Sequence, residues 1–180
     1  MCANANRKRW RNRPCAEQRF MTLHAVNVHA SCVMLAEAGL AFGVPRDAGV
    51  LLLGESGTGK SDLALRLMVM GAVLVADDRC DLFVAAGALR ARVPDSLAGL
   101  IEVRGVGIVQ MPYRPEARIA LAVRLVAPSA VPRLPETGIY RPPPPLDAPE
   151  RSLPREIRLV AFEASAPAKV LAAAAEFAPP

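Results

Sequence analysis

Two groups of residues in this chain are spaced for chemistry on a phosphate. Gly54 to Ser61 reads GESGTGKS, and further on an apolar run closes in Asp77-Asp78. Gly54, Gly57 and Gly59 permit positive φ and close backbone approach, so the amides of Glu55, Ser56, Thr58 and their neighbours can turn inward around an anion at a helix N-terminus. Lys60 would reach the β- and γ-phosphates of a nucleotide, and the small hydroxyl of Ser61 suits one coordination position of Mg²⁺. The competing reading, a glycine-rich turn that merely caps a helix, does not account for all the constrained positions of the pattern GxxxxGK[ST] falling between a strand and a helix. An apolar run ending in Asp places a carboxylate at the carboxyl end of a buried strand, where it can hold a metal or take a proton. Adjacent side chains of an extended segment point to opposite faces, so Asp77 and Asp78 are expected to divide the work: one orients the metal shell and the other faces an acceptor hydroxyl.

The elements that position these residues follow from local pattern. His29 to Leu35 reads as a first strand opening on His29, and Glu37 to Gly49 as a long turn. Val50 to Leu53 is the strand before the loop. Leu63, Leu67 and Met70 form the stripe of a helix over Ser61 to Met70, with Gly71 placed to cap it. Ala72 to Ala76 is a strand; Asp81 to Ala85 and Ala88 to Val93 form a hairpin about Ala86-Gly87. Pro94 to Gly99 is a turn or short helix. Ile101 to Val109 (IEVRGVGIV) reads by generic rules as an edge strand with a bulge and a Glu102–Arg104 salt bridge. A strand over Arg118 to Val126, a Pro-rich loop or arm over 127–156, a strand over Ile157 to Phe162 and an Ala-rich helix over Ala168 to Phe177 complete the chain. The fold class is α/β, a P-loop fold with a central mixed sheet and flanking helices.

Composition narrows the field. The 180 residues are 52% hydrophobic and 22% charged, and the net charge of +5 belongs to residues 1–21, where six basic residues face Glu17 alone. The remainder, 22–180, is a neutral body expected to form one catalytic domain, so neither nucleic acid nor membrane is an expected partner. The basic segment is read as a disordered tail, or as an over-extended start with Met21 as the true first residue. No apolar run approaches the roughly 20 residues of a membrane span. Cys2, Cys15, Cys32 and Cys80 form no CxxC, which disfavours a zinc site or disulfide framework and suits a reducing cytoplasm. Cys80 is read as a small semi-buried residue at a strand end.

Taken together, HASCV at His29, GESGTGKSDLAL, LVADD and IEVRGVGI at Ile101 to Ile108 resemble, in order, the catalytic domain of the bifunctional HPr kinase/phosphorylase family. The resemblance runs from about His29 to Val126 and is nearest the short alphaproteobacterial form, which lacks an N-terminal domain. It implies the nucleotide fold shared with phosphoenolpyruvate carboxykinases, and transfer of the γ-phosphoryl of ATP to a serine of the phosphocarrier HPr or a paralogue. The reverse direction would be attack of inorganic phosphate on the phosphoserine. By position it implies that Lys60 holds phosphate, that Ser61 and Glu102 bind Mg²⁺ with Asp77 in the metal shell, and that Asp78 is the general base, with His29 beside the site. Arg104 falls in a segment needed in both directions.

Two departures qualify the match. More residues than usual separate His29 from the P-loop, and nothing matches the Gly-Arg-Asn loop that longer members carry toward the C-terminus, where this chain is Pro-rich. The kinase direction is therefore the expectation the residues carry, and phosphorolysis and the family's hexamer rest on the resemblance alone. Two alternatives stay open: an ATP-sensing module without turnover, and a small-molecule kinase of carboxykinase type.

Overall fold

The computed structural model describes residues 24–134 and 138–177. The basic segment 1–21, Cys2, Cys15 and the choice between Met1 and Met21 lie outside them. Among the described residues, eleven strands and two α-helices are formed, with four short 3-10 turns between them. In chain order they are β1 (Val26–Val28), β2 (Ala30–Met34), β3 (Ala48–Leu53), α1 (Lys60–Val69), β4 (Val73–Ala76), β5 (Cys80–Ala85), β6 (Ala88–Arg92), β7 (Leu100–Val103), β8 (Gly107–Gln110), β9 (Glu116–Leu125), β10 (Gly138–Ile139), β11 (Arg155–Leu159) and α2 (Ala166–Phe177).

The long strand β9 is the spine of the sheet. One edge pairs in parallel with β3 along almost its whole length. The other edge is shared: its first residues pair antiparallel with β6 and its last five in parallel with β11. Beyond β3 lie β2 and then β4, both antiparallel, and beyond β6 lie β5 and β1. A sheet whose central edge serves two partners must curl. Its concave side encloses a core around Cys32, Leu51, Leu82, Leu89 and Ile119, to which neither α-helix contributes. Both helices pack on the convex side, where Leu63 and Leu67 of α1 and Val170 and Leu171 of α2 meet Val50, Leu52, Leu121 and Val123. The expected mixed sheet is present, with its helices on a single face.

Local chemistry explains the joints. α1 ends in a Schellman motif, with Gly71 at φ 101° donating to the carbonyl of Met68 and Ala72 to that of Leu67. The two-residue β5–β6 turn has Ala86 and Gly87 both at positive φ, the geometry that matches strand twist.

Four expectations are corrected. Residues 101–109 are not one edge strand: β7 and β8 form a separate two-stranded hairpin, and no ion pair joins Glu102 to Arg104 among the described residues. Glycines at 105 and 107, both at positive φ, turn the chain back where a bulge was expected. His29 does not open a strand but sits at the bend between β1 and β2, because β1 pairs with β5 and β2 with β3 and β4. The Pro-rich stretch is not wholly an arm. Tyr140 is buried in the concave core with Leu146 against it, and burial pushes the Tyr140 hydroxyl up to about 12. Cys80 is wholly rather than partly buried, which raises its thiol well above the ordinary value; Cys32 is likewise buried and raised to about 12. Neither thiol takes part in the chemistry below. No described helix is long and apolar enough to cross a membrane.

Candidate active site

The parallel strands β3, β9 and β11 end on the same side of the sheet, and the loop Gly54–Gly59 leaves β3 there, where ligands of open α/β sheets bind. Gly59, the residue before α1, has φ 92°, and Lys60 is the first residue of the helix. Thr58 folds the loop onto itself by donating its hydroxyl to the Glu55 carbonyl at 2.8 Å.

Lys60 is only 6% exposed. Its ammonium donates to the carbonyls of Gly54 and Glu55, each at 2.9 Å, and to His29 Nε2 at 3.0 Å, so all three protons are used. Burial lowers its pKa, against the opposing pull of Asp77 and Asp78. Because Nε2 accepts from Lys60, Nδ1 of a neutral His29 carries the proton. It lies 3.0 Å from the carbonyl oxygen of Asp78 and 3.1 Å from Asp78 Oδ1. Lysine, histidine and aspartate thus form one connected chain. Asp78 has φ 64°, uncommon for a residue with a Cβ, and this kink after β4 turns its carboxylate outward, with 65% of the side chain exposed.

Asp77 does the opposite. It is 4% exposed and accepts from Ser31 Oγ at 2.5 Å, Ser61 Oγ at 2.9 and 3.0 Å, and the backbone amide of Glu102 at 3.1 Å. One carboxylate therefore joins β2, α1 and β7. The two neighbouring aspartates therefore point apart, Asp77 inward and Asp78 outward, through the kink at Asp78 and not through an extended strand.

These groups line an open cavity of about 250 Å³, which also receives Ser56, Gly57, Glu102 and Arg104. Glu102 and Arg104 are exposed on the β7–β8 hairpin, at one rim. Among the described residues no three His, Cys, Asp or Glu side chains stand together at ligating spacing. The donor set fits a Mg²⁺ that keeps most of its waters: Ser61 gives its only proton to Asp77, which leaves its oxygen lone pairs free to ligate, with Glu102 nearby.

Sequence reasoning missed Ser31, Arg66 and Phe162. Ser31 is a polar residue in an otherwise apolar strand, a signal that a buried carboxylate lay opposite. Phe162 follows β11 and packs on the P-loop: a Cβ at Gly59 would come within 2.9 Å of both Ala161 Cβ and the Phe162 ring. With φ also at 92°, Gly59→Ala is expected to cost about 1–3 kcal/mol in a urea melt and to weaken phosphate binding at least tenfold. Unchanged binding would mean that the loop tolerates displacement of the ring.

The chain has relatives among known proteins. The chain is similar to the HPr kinase/phosphorylase of Leptothrix cholodnii, 43% identical over 102 residues covering 52% of this chain and 31% of that protein. It is similar also to that of Clostridium novyi, 48% identical over 64 residues covering 36% and 21%. The chain thus spans about a third or less of the length of these curated relatives. A structure of the HPr(Ser) kinase/phosphatase from Coxiella burnetii superposes with a TM-score of 0.61 at 23% identity, covering 81% of this chain and 91% of that one, which shows a shared fold. The HPr serine kinase C-terminal domain model matches residues 28–130, a span that holds His29, the P-loop, both aspartates and the β7–β8 hairpin, and the chain belongs to that family.

Proposed function

We propose that this chain is an ATP-dependent protein-serine kinase whose acceptor is a small phosphocarrier of the HPr type, acting in the cytoplasm in the control of carbohydrate phosphotransfer. The observation that carries the reading is the connected chain Lys60–His29–Asp78, which sets an outward carboxylate beside the lysine of a phosphate loop. The loop amides and Lys60 bind the β- and γ-phosphates once Lys60 exchanges its internal acceptors for phosphate oxygens. The serine hydroxyl attacks the γ-phosphorus, the bond to the β–γ bridging oxygen breaks, ADP leaves, and the serine proton passes to Asp78. His29, donating through Nδ1, holds that carboxylate toward the acceptor. Asp77 fixes Ser61. Mg²⁺, held by Ser61 and Glu102 with Asp77 behind them, would supply neutralisation of phosphate charge.

Similarity to HPr kinases/phosphorylases supports the acceptor and also a reverse direction, in which protonated Asp78 returns its proton to the serine as inorganic phosphate attacks the phosphoserine and leaves as pyrophosphate. The test is to incubate the full chain with Mg-ATP and HPr-type carriers from the same genome. A single phosphate on a carrier serine is expected, removed again when ATP is replaced by inorganic phosphate. Tight ATP binding with no transfer to any carrier would favour a nucleotide sensor instead.

A further inference from the structure

The cavity has a second end that phosphate chemistry does not use. Around α1, successive residues turn by about 100°, so Ser61 faces Asp77 while Asp62, Leu65 and Arg66 face the segment that follows β11. Arg66 fastens that segment to the helix. Its guanidinium donates to the carbonyls of Ala161 and Glu163 and, through Nε, to Asp62 at 2.9 Å. The backbone on both sides of Phe162 is thereby fixed. The Phe162 ring rests on Gly59, lines the cavity and is 66% exposed. A large ring held this firmly at the mouth of a polar site, and left open on the cavity side, offers a flat apolar surface at a defined position.

The direction of a bound nucleotide follows from the other end. The terminal phosphate belongs beside Lys60 and Asp78, so the chain of phosphates leads back over the start of α1, and the nucleoside emerges toward Asp62, Leu65 and Phe162. Phe162 also lies just past the carboxyl end of a parallel strand, the side on which such sheets bind ligands. We propose that Phe162 is the stacking platform of the nucleobase, with Leu65 closing the apolar side of the same subsite. This inference rests on the nucleotide reading given above. A base stacked on an aromatic side chain typically loses several-fold to a hundredfold in affinity when the ring is removed.

The test is calorimetric titration of the full-length protein, in the presence of Mg²⁺, with ADP and with pyrophosphate, which carries the phosphates without a base. Wild type is expected to bind ADP more tightly than pyrophosphate. Phe162→Ala is expected to weaken ADP about tenfold and leave pyrophosphate within twofold, while Phe162→Tyr keeps both. The ring is mostly exposed, and a urea midpoint equal to wild type confirms that Phe162→Ala folds. Unchanged ADP affinity in Phe162→Ala overturns the proposal, as does an equal loss for ADP and pyrophosphate, which would make the ring a prop for Gly59. Failure of wild type to bind either ligand would instead overturn the nucleotide reading itself, a pattern distinct from both.

Discussion

Asp78→Asn is expected to lower serine phosphorylation by at least about 10²-fold while leaving Mg-ATP affinity close to wild type. The two effects separate because Asp78 is outside the phosphate loop. Its carboxylate reaches the site by a backbone kink at φ 64° and a contact with His29 Nδ1, and touches neither the loop carbonyls nor Ser61. An asparagine keeps the shape and can still accept from His29, so folding and phosphate binding survive. What it loses is the capacity to take a proton. Phosphoryl transfer depends on a base less than acyl transfer does, since its transition state is loose, which is why the expected loss lies at the lower end of general-base effects. A variant that phosphorylates its carrier at the wild-type rate would remove Asp78 from the proton path.

The second large effect is structural. Asp77→Ala is expected to cost about 3 kcal/mol or more in a urea melt and to abolish transfer. The carboxylate is the shared acceptor of Ser31, Ser61 and the Glu102 amide, and its deletion leaves these donors unmatched, that of Ser31 in the fully buried interior. A buried donor without a partner costs about 1–3 kcal/mol. Loss of the Glu102 contact also removes a polar tie of the β7–β8 hairpin, which pairs with no strand of the main sheet and is otherwise held by Ile101 in the core. Asp77→Asn should fall between the two in stability, since it keeps one carbonyl oxygen. A melt of Asp77→Ala matching wild type would show that the three elements are held by other means.

These expectations mark what the amino-acid order could and could not disclose. The P-loop was readable because its chemistry is local: glycines, lysine and serine act within one strand–loop–helix unit. That Asp77 and Asp78 point apart was readable, but its cause was not: β4 ends at Ala76, and a kink at Asp78, φ 64°, does what strand alternation was expected to do. The placement of His29 was not readable, because it depends on two strands of different pairing meeting at a bend. Generic rules alone make Glu102 and Arg104 a salt-bridged pair in one strand, since nothing local says that Gly105 and Gly107 reverse the chain. Phe162 escaped notice because an apolar residue at the end of a strand looks like core. Only the Arg66 fork and the contact with Gly59 reveal that it faces a cavity. The curl of the sheet was likewise hidden: β9 divides one edge between β6 and β11, a long-range pairing that periodicity does not encode.

In the proposed reaction a serine, and not water, receives the phosphoryl group. The most direct measurement follows ADP and phosphoserine together after Mg-ATP and an HPr-type carrier are mixed with the full chain, with the carrier omitted in parallel. One phosphoserine for each ADP, and negligible ADP without carrier, is the predicted result. ADP that accumulates at the same rate with or without carrier, and without phosphoserine, would contradict it.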